Sequence, residues 1–115
     1  MTNRTLNFND FKRPTLALTM ADENRTVINV STPSAALYEE LEAFIPELGK
    51  MANSGSGEAI RMIFDLAARL INCNRSFITV TAEELRDKYG MDLEGAIVFY
   101  SAYMDFVQEV YNAKN

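Results

Sequence analysis

The stretch from Leu93 to Ala113 constrains this chain more than any other. It reads as one uninterrupted helix, roughly 31 Å long at 1.5 Å per residue, opened by Asp92 as an N-cap. Leu93, Ala96, Ile97, Tyr100, Tyr103 with Met104, Val107, Val110 and Tyr111 recur at helical spacing and form one apolar stripe. Val98, Phe99, Ala102 and Phe106 fall largely outside it, on a second face. A helix apolar on nearly all sides must lie at the centre of its fold or be covered by a partner. In a chain of 115 residues few other helices are left to cover both faces, so one aromatic cluster is expected to be an interface. The six methionines lean the same way, because methionine repacks readily around varied partners.

Upstream, the spacing predicts a β-hairpin over 14–30. Leu16, Leu18 and Met20 alternate with Ala17 and Thr19. After the polar break Ala21-Asp22-Glu23-Asn24, Thr26, Ile28 and Val30 alternate with Val27 and Asn29. Such a hairpin is marginal alone and has to pack on helices or join another sheet. Thr32 is the expected N-cap of a first helix, with Pro33 at its first position. Leu37, Leu41, Phe44 and Leu48 mark its apolar face, and Pro46 predicts a kink or the helix's end. Residues 53–57, Asn-Ser-Gly-Ser-Gly, read as a flexible linker. Ile60, Ile63, Phe64, Ala67, Leu70 and Ile71 then define a second helix, followed by a short extended piece at Phe77, Ile78 and Val80. Thr81 and Glu84 have the form of a capping box for a short third helix, which ends at Gly90 in the left-handed conformation. The expected fold is mostly α (α+β): one domain over 1–115, with a hairpin at 14–30 and a bundle of about four helices at 33–113.

The composition excludes whole classes of chemistry. Without histidine there are no His-based acid–base steps, Ser-His triads or His-ligated metals. A single cysteine allows no internal disulfide and no Cys₄ zinc site. Cys73 would need activation by Arg69 or Arg75 to act as a nucleophile, and is better read as a small buried hydrophobe. The acidic clusters lie near helix starts, where they complement the macrodipole; none fits a calcium loop. Gly55-Ser56-Gly57 lacks the Gly-Lys-Ser/Thr of a phosphate loop. Residues 81–106 mimic helix-turn-helix spacing, but the second helix bears Asp92, Glu94, Asp105 and Glu109, which repel a phosphate backbone. The expectation is therefore no catalytic residue, metal, cofactor, nucleic acid or membrane partner. The first 13 residues hold only isolated Leu6, Phe8 and Phe11, without an apolar signal core, so the expected location is the cytoplasm.

Several stretches together resemble a known family. They are Leu6-Asn7-Phe8-Asn9-Asp10-Phe11, the hairpin running into an acidic helix, Thr81-Ala82-Glu83-Glu84-Leu85, and Tyr100-Ser101-Ala102-Tyr103-Met104-Asp105-Phe106. This arrangement is similar to the small tail assembly chaperones of long-tailed (siphovirus-like) phages and prophages, chiefly of Gram-positive hosts. Their C-terminal half reads as a Thr-x-Glu-Glu-Leu helix start followed by an aromatic-x-Ala-Tyr-x-x-Phe helix. The resemblance implies binding to the helical tape measure protein and to the tail tube subunit, homo-oligomerisation, and absence from the mature virion. It also implies that a longer frameshifted product is often made. The residues expected to bind the partner are Val98, Phe99, Tyr103 and Phe106 on the last helix, with Leu37, Leu41 and Phe44 on the first. The same features also suit an acidic cytoplasmic adaptor or inhibitor acting through an obligate oligomer. A third reading is a small-ligand domain with a pocket around Tyr100, Tyr103 and Tyr111.

Overall fold

Strands β1 (Leu16–Thr19) and β2 (Val27–Val30) pair antiparallel, with Leu16 opposite Val30 and Thr19 opposite Val27. Four helices follow: α1 (Ala35–Asn53), α2 (Gly57–Ile71), α3 (Ala82–Asp87) and α4 (Leu93–Ala113). The computed structural model describes residues 14–113. The chain is mostly helical, a hairpin followed by a helical bundle, as the periodicities predict.

The hairpin turn is closed by Asp22. Its carboxylate accepts from the Thr26 amide at 2.8 Å and from the Thr26 hydroxyl at 2.5 Å, while Met20 donates to the Thr26 carbonyl. Those bonds to Thr26 hold the Asp22 carboxyl below the usual carboxylate range. The turn is also tied to the bundle, because the Ala21 amide donates to the Tyr89 carbonyl at 3.0 Å. β2 does not end the sheet. Val30 forms a bridge with Asn74, Arg75 donates to the Asn29 carbonyl, and Asn29 donates to Ser76 Oγ. The extended piece expected at 77–80 is not a strand; residues 74–76 take the place beside β2 instead.

Several helix ends differ from the expectation. Ser34, not Thr32, caps α1, accepting from the Leu37 amide at 3.2 Å. Thr32 is still on the path of β2, because the Ser31 amide is bound to the Cys73 carbonyl; Pro33 is buried ahead of the cap. Pro46 does not end α1, which runs on to Asn53. Pro46 and Glu42 lie on the exposed side, where a carbonyl left without its helical donor is open to solvent, while Leu41 and Leu48 hold both halves to the core. The connection at 53–57 shortens to three residues. Ser54 caps the end of α1 through the Met51 carbonyl, and Ser56 accepts from Ala59 at the start of α2. The Thr81–Glu84 capping box has both of its hydrogen bonds, and Asp92 accepts from the Gly95 amide at 2.7 Å.

The centre of the core is α2 rather than α4. It contacts α1, α3, α4 and β2, and buries Ile63, Phe64, Leu66, Ala67, Ala68, Leu70 and Ile71. α4 packs on it through Ala96, Phe99, Tyr100, Tyr103 and Val107. The division of α4 into two stripes is corrected accordingly: Phe99 joins the core stripe, and Ile97 leaves it for the surface.

Candidate functional site

Two tyrosines fix α4 in place. Tyr100 donates its hydroxyl to the Ile63 carbonyl at 2.5 Å, and Tyr103 donates to the Ser31 carbonyl at 2.9 Å. Burial raises both phenols well above their usual range. Phe99 stacks on Tyr103 at 5.4 Å, and Phe44 from α1 lies 5.5 Å from Tyr100. This network lies in the core of the chain. Of the residues expected to bind a partner, Phe99, Tyr103, Leu37 and Leu41 are buried, since helical spacing gives a stripe without saying what covers it. Phe44 and Phe106 are half-buried, Phe106 against Tyr103. Of the seven, only Val98 is well exposed, at 62%. Neither of the two concavities described next is lined by Tyr100, Tyr103 or Tyr111.

The larger concavity, about 460 Å³, lies between α1 and α2. Its apolar floor is Phe44, Met51 and Leu66, with Met62 on the wall at 49% exposure. Glu40, Glu47 and Asp65 rim it, and Arg69 crosses it to pair with Glu40 at 2.5 Å. Both members of that pair are largely in solvent, so it contributes position more than stability. The smaller concavity, about 300 Å³, lies between β1 and α4 and includes Val98.

Met62 and Leu66 lie outside the α2 stripe that the spacing singles out. Their own i, i+4 spacing, matched by Glu47 and Met51 on α1, was the available signal. Phe77 is a second omission. It is fully exposed with φ of +56°, on a loop held by four hydrogen bonds of the Asn74 side chain to residues 71, 76 and 78. No local sequence signal puts a phenylalanine in a left-handed, solvent-facing position.

Cys73 is half-buried, burial pushes its thiol up, and neighbouring Arg69 is engaged by Glu40, which is opposite to activation. Among the described residues no three His, Cys, Asp or Glu side chains group as a metal site, and no helix is long and apolar enough to cross a membrane. In comparison with known proteins, the chain matches no family model, no curated protein and no solved structure.

Proposed function

We propose that the protein is a tail assembly chaperone of a long-tailed phage or prophage. In this reading it holds the tape measure protein soluble in the host cytoplasm while the tail is built, with the tail tube subunit as a second partner. It works as a homo-oligomer and is absent from the mature virion. The observation that carries the binding role is the α1–α2 groove, where Met62, Met51 and Phe44 form an apolar trough between acidic rims. A helix with an apolar stripe and basic flanks fits that trough by packing, and the net charge of −5 keeps the loaded complex soluble. The family resemblance supplies the client; the groove supplies a place for it. Relative to the reading from sequence, the contact moves from the aromatic face of α4 to the groove beside Phe44.

The test is co-expression with the tape measure protein encoded in the same genome. Wild type should raise the soluble fraction of the client several-fold, and Met62→Asp, a change on an exposed side chain, should abolish most of that gain without unfolding the chaperone. Equal client solubility with wild type, with Met62→Asp and with no chaperone refutes the proposal.

A further inference from the structure

Phe77 stands fully in solvent on a left-handed backbone, two unfavourable choices at one position. Its loop is nonetheless fixed. The Asn74 side chain accepts from the Ser76 and Ile78 amides and donates to the Ile71 and Ile78 carbonyls. From the other side, the Arg75 amide is bound to the Asn29 carbonyl. An apolar ring held out on a fixed backbone loses little freedom on docking, which is how an anchor residue gains affinity. Two positions earlier the Arg75 side chain is exposed, so the loop presents a cation close to the ring. The α1–α2 groove has the matching character. Its floor is Phe44, Met51 and Leu66, its wall is the exposed Met62, and Glu47 and Asp65 place exposed carboxylates on its rim. Methionine sulfur packs favourably against an aromatic ring, and rim acids attract the cation that arrives with it. At about 460 Å³ the groove has room for a phenylalanine side chain.

We propose that Phe77 of one copy of this chain enters the α1–α2 groove of a second copy, with Arg75 against Glu47 and Asp65. The ring is uncovered on its own chain, so it does not occupy its own groove. Knob and groove are different patches, which makes the contact heterologous. One aromatic ring buries about 150–250 Å², against about 800 Å² per partner in a stable interface, so the association is weak and depends on concentration. The contact needs only this chain and does not rest on the tail-assembly reading. It puts self-association and client binding in the same groove, so a bound client displaces Phe77.

Sedimentation equilibrium on the purified full chain, without any client, tests it. Wild type should be mainly monomeric at about 10 μM and associated at about 1 mM. Phe77→Asn and Met62→Asp should each weaken the association tenfold or more, and Arg75→Glu several-fold. All three changes fall on exposed side chains, and far-UV circular dichroism in dilute solution should match wild type. A mixture of two variants is decisive. Phe77→Asn keeps its groove and Met62→Asp keeps its knob, so the two should pair with each other although neither pairs with itself. With labelled Phe77→Asn and unlabelled Met62→Asp, the NMR signals of the Met51 and Leu66 amides should shift. A wild type that is monomeric at 1 mM, association unchanged in any of the three variants, or a mixture that stays monomeric overturns the proposal. Each of those results leaves the co-expression test of the client untouched.

Discussion

Replacing Gly90 by alanine should destabilise the protein severely, and replacing Gly49 by alanine should stabilise it. Gly90 has φ of +70°, and a Cβ built there meets the Ala21 carbonyl oxygen at 2.7 Å and the Ala21 Cβ at 3.2 Å. The left-handed backbone alone costs an alanine about 1 kcal/mol or more. The steric term adds to it, because the obstacle is backbone and cannot rotate away. Ala21 is pinned by its own amide bond to Tyr89, so retreat strains the contact between hairpin and bundle, at a cost of about 1–3 kcal/mol typical of overpacking. The sum is about 2–4 kcal/mol, or a fall in Tm of roughly 6–20 °C for a domain of this size. Gly49 lies inside α1 with nothing within 4 Å of its virtual Cβ, so alanine there gains about 0.5–1 kcal/mol. Urea denaturation followed by far-UV circular dichroism measures both, and m should stay constant. Gly90→Asn separates the two causes. Asparagine tolerates the left-handed backbone but keeps the Cβ, so most of the loss should remain. A cost below about 1 kcal/mol for Gly90→Ala, or the same sign for both alanine variants, refutes the reasoning.

Ser34→Ala should cost about 1 kcal/mol in thermal denaturation through loss of the α1 cap, while Thr32→Ala should cost less than about half of that; the reverse order would place the cap at Thr32. Tyr100 and Tyr103 are held neutral in the fold, whereas unfolded tyrosines ionise near about pH 10. The unfolded chain therefore releases these protons first, so stability is full below about pH 10 and falls above it. The slope approaches about 2.7 kcal/mol per pH unit for two protons, and Tyr103→Phe should halve it in urea titrations at several alkaline pH values. Phe77→Asn should raise stability by about 0.5–1 kcal/mol, because asparagine accepts φ of +56° and no packing is lost; a loss on thermal denaturation would mean the loop needs the ring.

The elements of the fold were legible because each carries a local signature. Alternation marks the strands, the Thr81–Glu84 box and Asp92 mark two helix starts, and Gly90 marks a helix end. The cap of α1 was misplaced by two residues because Thr32 and Ser34 are equally good caps locally; the choice is made by the long-range bond from Ser31 to Cys73. The site was less legible. Spacing identified the apolar stripe of α4, but whether Phe99 faces α2 or solvent depends on how the helices cross, which no local pattern encodes. Phe44 lines the α1–α2 groove beside Met51 and Met62, which fall off the main stripes and so carry no signal in the spacing of those stripes. Of the four α4 residues expected to bind a partner, Val98 alone is well exposed.

The seam between β2 and residues 74–76 has a consequence for how the protein is born. Asn29 waits for Ser76, which lies 47 positions later, and Ser31 waits for the hydroxyl of Tyr103, 72 positions later. A two-stranded hairpin has little stability of its own, so the part of this chain that leaves the ribosome early is among the last to settle. At about 5–20 residues per second the nascent strands spend seconds without their seam. A polypeptide stopped within α2 therefore leaves an orphaned hairpin beside an unfinished bundle, a product suited to rapid proteolysis. Residue 76 marks the earliest point at which a growing chain can begin to keep what it has made.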